Sequence, residues 1–345
     1  MEKFSLFIGI DLGKREFYAA FRYQSQLVKA RKYENTASGI ARFIQDIQAF
    51  GLEQNQVLIA LEHCGVYLEK LVMALYAEGL FIWLWNPLIA KHAPLDLNRH
   101  KDDPRDAKTM AMLAQNYQAK AKRYIPPSAR EREIKALSLL RKQLIKQRTQ
   151  LINQKKSNLD KALPLPLAEE VFQQLIETLT AKIKQVEKQL QKTLLQSERF
   201  KRVYTILTSI PGIGPVTATQ LIEISRGFTT FSSEVALAKY AGTLPLKHLS
   251  GSSIKRKPRS SKRANKQLKV NLTLGATSQI RKGMFFENFY RYKTEVQKME
   301  HLKVINIIRN TLLKLAVKLV QLDQEFDPDT FRKNKKSWQV FLTLS

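Results

Sequence analysis

Between residues 4 and 33 the chain reads as three short apolar runs, FSLFIGI, EFYAAF and QLVKARKY, parted by polar or glycine-containing turns, which predicts a meander of three strands. Apolar residues then recur at helical spacing between Thr36 and Phe50 (Ile40, Phe43, Ile44, Ile47). Val57-Leu58-Ile59-Ala60-Leu61-Glu62 is a continuous apolar run, the pattern of a strand buried on both faces. A helix is expected from about Tyr67 to Glu78, and Phe81-Ile82-Trp83-Leu84-Trp85 reads as another strand, closed by Asn86-Pro87. The next helix starts with Pro104 in its first position, which makes Asp103 the expected cap. After the boundary Tyr124-Ile125-Pro126-Pro127, Leu137, Leu144 and Leu151 recur at seven-residue spacing, with Leu140 between the first two. Past Pro164-Leu165-Pro166, Leu175, Leu179, Ile183, Val186 and Leu190 recur at three and four. Two helices joined by a proline turn, with an apolar seam, are expected there. Ser209 to Ala218 is a Gly-x-Gly turn between helical stretches, and beyond Lys262-Arg263-Ala264-Asn265 the pattern reads helical to about Leu322 through Ile305, Ile308, Leu312 and Leu315.

The order β-β-β-α-β-α-β-α over the first third is that of an RNase H-like mixed sheet. The expected class is therefore α/β plus α: that sheet, a helical coiled-coil hairpin, and a mainly helical C-terminal domain with a helix-hairpin-helix-like element. The expected divisions are a metal-site domain over 1–125, the hairpin over 128–200, the C-terminal domain over 201–325 and a tail over 326–345. A chain of 345 residues is long enough for more than one core.

Charge narrows the function. Lys and Arg total 58 against 30 Asp and Glu, a formal net charge of +28, which points to a polyanionic partner, nucleic acid first. No apolar run approaches the roughly 18 residues of a membrane span, so no membrane role is expected, and the opening Met1-Glu2-Lys3-Phe4 does not read as a signal peptide. A cytoplasmic, nucleoid-associated address follows. The single cysteine, Cys64, builds neither an intrachain disulfide nor a cysteine metal cluster.

Within this basic chain, carboxylates stand at telling places: Asp11 and Glu62 at strand ends, Asp103 and Asp106 three apart at a helix start. Singly these are turn and capping residues. Together they are a set of hard oxygen donors for Mg²⁺, and a pair of such ions clamps the attacking and leaving oxygens of a phosphoryl displacement. Gly212 and Gly214 would let backbone N–H groups approach a phosphate. From Lys247 to Lys269 there are nine cationic residues and no acid; Lys247, Lys255, Arg256, Lys257, Arg259, Lys262 and Arg263 are the candidate nucleic-acid contacts. Ser250 lies in that run, with Ser252 and Ser253 close by and no His base fixed near it in sequence.

These pieces resemble the DEDD transposases and recombinases of bacterial insertion sequences, the group that includes the Piv-type DNA invertases. The resemblance rests on Gly9-Ile10-Asp11, on Glu62-His63-Cys64-Gly65-Val66-Tyr67, on Lys101-Asp102-Asp103-Pro104-Arg105-Asp106-Ala107, and on Ile210 to Gly214 followed by Tyr240 to Gly242, Pro245 and Ser250-Gly251. It implies a RuvC-like first domain in which Asp11, Glu62, Asp103 and Asp106 bind two Mg²⁺ ions. It also implies attack on DNA by Ser250 through a covalent phosphoserine, a structured noncoding guide RNA, and homodimers that pair into tetramers. The sequence departs from the family pattern at Cys64, Asp102 and Ala264. The rival readings are a junction-resolving nuclease that uses metal-activated water, a DNA invertase, and an architectural protein that binds DNA or RNA by charge alone.

Overall fold

The computed structural model describes residues 4–85, 103–231, 233–244, 249–250, 254–255, 261 and 263–333, with backbone alone at 103, 249–250, 254–255 and 332–333. They fall into two compact units, Met1–Pro127 and Ser128–Ser345.

The first unit is built on five strands, β1 (Leu6–Leu12), β2 (Glu16–Tyr23), β3 (Gln26–Glu34), β4 (Val57–Glu62) and β5 (Phe81–Trp85), in the order β3-β2-β1-β4-β5. The meander β1–β3 is antiparallel, whereas β4 and β5 add in parallel beside β1, giving the mixed sheet expected from the apolar pattern. Side chains alternate between faces along a strand. Leu6, Ile8 and Ile10 of β1 therefore enter one core with Ile40 and Phe43 of α1 (Ala37–Gln48) and Leu71 and Leu75 of α2 (Leu68–Ala77). Phe7 enters the opposite core, with Leu58 and Ala60 of β4 and Leu113 and Ala114 of α3 (Asp103–Asn116). Thr36 caps α1 by accepting from the Gly39 amide at 3.2 Å. The third helix opens at Asp103 itself, one residue earlier than the proline rule places it.

The second unit opens with two long helices, α4 (Ala129–Leu159) and α5 (Pro166–Leu195). Arg141–Glu187 at 2.7 Å and Lys155–Glu169 at 3.7 Å pair them antiparallel. The buried Asn158 closes the turn between them by bonding both the carbonyl and the amide of Leu165, at 3.0 and 3.3 Å. The expected leucine seam is shallower than its spacing suggests. Leu137, Leu144 and Leu151 are half-buried and Leu140 and Leu175 exposed. A lone two-helix hairpin covers only one side of each helix; of the expected seam residues Ile183 and Leu190 are buried, and Leu190 joins Ile134 and Leu194 in the core of the shorter helices.

Those helices are α6 (Glu198–Ser209), α7 (Pro215–Ser225), α8 (Glu234–Ala241), α9 (Lys266–Ser278), α10 (Glu287–Arg291), α11 (His301–Leu322) and α12 (Pro328–Lys333). Leu207, Leu221, Leu237, Leu268, Leu272, Ile305, Ile308 and Leu312 meet in their core. Two short strands, β6 (Leu249–Ser250) and β7 (Ile254–Lys255), pair antiparallel. The helical reading from Asn265 to Leu322 needs correction. The chain leaves the helix after Ser278 and turns through Gly283 at φ 78°, and α10 runs on as a π-helical turn, Tyr292–Val296, that ends before Lys298 at φ 50°. No helix among the described residues is long and apolar enough to cross a membrane.

Candidate functional site

Asp11 and Glu62 arrive at one place by register. Ile10 pairs with Leu61 across the parallel β1–β4 ladder, so the next residue on each strand is a carboxylate and the two are neighbours. Alternation puts Asp11 on the face of Phe7 and Gly9, and Glu62 on the face of Leu58 and Ala60, which is the face that α3 covers. Both are half-exposed.

Gly9 lets α3 in. A Cβ at Gly9 would fall 2.2 Å from both the Ala107 carbonyl oxygen and the Ala111 nitrogen, so the helix backbone rests directly on the strand. Ala20, Ala107 and Ala111 form the small-residue seat around that contact. Leu113 and Ala114 pack near Phe7 and Ala107 near Gly9, so the helix runs antiparallel to β1 with its N-terminus toward Asp11. The first turn of α3 therefore lies toward the Asp11 end of β1, and Asp106 on that turn is exposed.

Charges in this corner are felt by Cys64. Burial pushes its thiol above the ordinary range, and the negative charge of Asp11, then that of Glu62, pushes it further. The two loops that follow the acids are tied together by a residue the motifs do not contain. Asn35 Nδ2 donates to the Tyr67 carbonyl at 3.1 Å and to the Gly13 carbonyl at 3.4 Å, and the Asn35 amide donates to the Arg15 carbonyl at 2.8 Å. Its only signal in the sequence is its place at the end of the meander, just before the Thr36 cap.

Among the described residues no three His, Cys, Asp or Glu side chains already converge on one point. Asp11 and Glu62 nonetheless fit a divalent cation by donor chemistry, since both are carboxylates at one register step, and the first turn of α3 is where further oxygen donors would come from.

In the second unit Ser250 is the last residue of β6, with Lys255 closing β7; their side chains, and Lys247, Arg256, Lys257, Arg259 and Lys262, lie outside the described residues. Arg263 is exposed. Gly212 takes φ 93° and packs against α9, where a Cβ on Gly275 would meet the Gly212 carbonyl oxygen at 2.0 Å. Its glycine is accounted for by that contact. Gly214 precedes the N-terminus of α7 with open space where a Cβ would be, beside a cavity of about 560 Å³ lined by Thr208, Asn271 and Gln279.

Two family models match this chain. A transposase model of the DEDD IS110 type matches residues 8–164, and the model "Transposase IS116/IS110/IS902 family" matches residues 204–291. The chain belongs to the IS110-type DEDD transposase family, whose enzymes carry out DNA recombination. It is 26% identical over 330 residues to the pilin gene-inverting protein of Moraxella lacunata, covering 93% of this chain and 97% of that one; the Moraxella bovis protein matches equally. A probable family 20 transposase of Pseudomonas aeruginosa is 23% identical, covering 79% of this chain and 84% of its own. Among solved structures, Thermus thermophilus RuvC in complex with a Holliday junction substrate aligns over 35% of this chain and 99% of its own, at 16% identity and a TM-score of 0.28.

Proposed function

We propose that this protein is an insertion-sequence transposase that cuts and rejoins DNA with metal-assisted carboxylate chemistry and a serine nucleophile. The observation that carries the reading is the one-step register of Asp11 and Glu62 beneath the first turn of α3, with Gly9 setting that helix directly on the strand. Asp11, Glu62, Asp103 and Asp106 would hold two Mg²⁺ ions. Bound there, the ions supply charge neutralisation at the scissile phosphate. The chain's own residues do the rest: the acids fix the site on a rigid sheet edge, and Asn35 holds the loops behind two of them. The serine oxygen of Ser250 displaces a deoxyribose oxygen at phosphorus, and its proton ends on the departing oxygen. A hydroxyl of the incoming strand then displaces the serine, restoring it. Gly212, Gly214 and the cations from Lys247 to Arg263 grip the backbone, and a structured RNA guiding a homodimer or tetramer to its sites belongs to the same proposal, as does action on chromosomal DNA in the cytoplasm.

Site-specific inversion is a second reading, favoured by the names of the Moraxella relatives, which align over nearly their whole length. Both readings need the same chemistry. The test is trapping: protein, Mg²⁺, element-junction DNA and flanking RNA, denatured and examined for a protein–DNA adduct. An adduct that maps to Ser250 and vanishes in Ser250→Ala supports the serine step. Cleavage that leaves no adduct and survives Ser250→Ala would replace it with attack by metal-activated water.

A further inference from the structure

The segment that carries Ser250 leaves the helical core of the second unit and returns to it at one place. It leaves after α8, where Gly242 takes φ 67° and the next residue, Thr243, is buried. It returns at Ala264 and Asn265, just before α9. The two stems touch: a Cβ on Gly242 would fall 2.5 Å from the Ala264 Cβ. They are also bonded, since the Asn265 amide donates to the Tyr240 carbonyl at 2.8 Å while Asn265 Oδ1 accepts from the Leu268 amide at 3.0 Å and caps α9. Between the stems the described backbone includes the β6–β7 pair, in which Ser250 is partnered by Ile254.

The leaving stem has a second anchor. The Thr243 amide and hydroxyl both donate to the Ala238 carbonyl, at 3.1 and 3.3 Å. The Thr243 carbonyl lies outside any helix or strand and is taken by two side chains: Asn306 and Asn310, one turn apart on α11, donate to it through Nδ2 at 2.9 and 3.2 Å. Asn306 is fixed in that orientation because its Oδ1 accepts from Arg309 Nη2 at 2.9 Å. Asn310 is not balanced in this way, for its Oδ1 is buried with no donor among the described residues. A buried amide with one end unpaired costs free energy, and the Thr243 carbonyl would keep a bond from Asn306 alone. Stability by itself therefore favours an apolar side chain at position 310. What the second donor adds is direction: one hydrogen bond lets a carbonyl swing about it, whereas two donors from adjacent helical turns hold it in one place.

We propose that Asn306 and Asn310 are positioning residues for the serine step. By clamping the Thr243 carbonyl to α11 they fix the stem from which Ser250, seven residues further on, is presented. The inference rests on the reading of Ser250 as the nucleophile and adds the residues that set its place. In-line attack at phosphorus tolerates little displacement, and a shift of about 1 Å from changes remote from the chemistry costs about 10²-fold in rate.

The experiment uses the full chain with Mg²⁺, junction DNA and flanking RNA, comparing wild type, Asn310→Leu and the double variant Asn306→Leu/Asn310→Leu. Three quantities are measured in the complex or on the way to it: the rate of Ser250 adduct formation at saturating DNA, the DNA affinity and the thermal midpoint. A fourth, the rate of trypsin cleavage between Lys247 and Lys262, is measured on the protein without nucleic acid. Asn310→Leu is expected to slow adduct formation about tenfold and the double variant about 10²-fold, with DNA affinity unchanged. The midpoint of Asn310→Leu should hold or rise, because the unpaired Oδ1 is gone, and trypsin should cut faster in both variants. An adduct rate equal to wild type, or one that falls only in step with the midpoint or with DNA affinity, would make the asparagines structural residues and overturn the proposal. Should the double variant fail to fold, Asn310→Leu decides on the same rate. Wild-type protein that forms no adduct at Ser250 would instead contradict the serine reading itself; the trypsin rate still reports on the anchor, and no acceleration in the variants overturns it.

Discussion

One glycine decides whether the carboxylates meet. With 2.2 Å between a Cβ at Gly9 and two backbone atoms of α3, neither a rotamer change nor a side-chain shift can make room, so Gly9→Ala must lift the helix. We expect a loss of about 3 kcal/mol in stability, faster amide exchange in α3, and loss of DNA cleavage with DNA binding retained. Ala19→Gly on the opposite face of the sheet is the control, where stability falls but cleavage persists. Residues of this kind were partly legible beforehand. Asp11 and Glu62 were readable as acids at strand ends because a continuous apolar run ending in a carboxylate is unusual. The reason for Gly9 was not, since a glycine inside a strand states only that something comes close. Asn35 left still less trace, because its importance lies in partners 22 and 32 residues away.

At the level of elements, apolar runs and period-3.6 patterns found β1, β2, β4, β5, α1 and α2 to within about two residues, because these bury apolar side chains in the cores on either face of the sheet; β3, in which Tyr33 alone is buried, was marked by the turns around it. Patterns misled where burial is partial. The α4–α5 seam has the heptad spacing but not the depth, and the long helical reading after Asn265 breaks at turns that no proline announces. What fixes the base of α4 is polar. Glu131 completes a capping box with Ser128, through bonds of 2.7 and 3.2 Å, and receives Arg226 Nε at 3.0 Å and Nη2 at 3.1 Å. Burial pushes the Glu131 carboxyl up, but the bonds from Arg226 and Ser128 outweigh it and hold the pKa below the ordinary value. A depressed folded pKa means stabilisation that is complete above the unfolded value and lost as pH falls through the folded one. Glu131→Gln is therefore expected to cost about 2 kcal/mol near pH 7, with the difference from wild type closing as pH drops below about 4. Denaturant unfolding at both pH values checks it; a gap that persists unchanged in acid would mean that charge has no part in it.

Over the whole molecule, a chain of net charge +28 carries carboxylates together at the ends of β1 and β4, a composition that suits a protein which attracts phosphate and uses carboxylates where cations intervene. Bulk charge was legible at once, and so was the family, because its motifs are short, ordered and widely spaced. The basic run and the serine were legible as types of residue but not as geometry, since neither spacing nor charge says where a loop will sit.

In the proposed mechanism the acids of β1, β4 and α3 perform metal-assisted DNA cleavage. The most direct measurement is cleavage of junction DNA as a function of Mg²⁺ concentration for wild type, Asp11→Asn and Glu62→Gln, with DNA binding and thermal midpoint recorded for each. Mg²⁺-dependent cleavage that chelation abolishes is expected, with a loss of roughly 10³-fold or more in either variant while folding and binding persist. Cleavage or recombination that continues undiminished in both variants would contradict it.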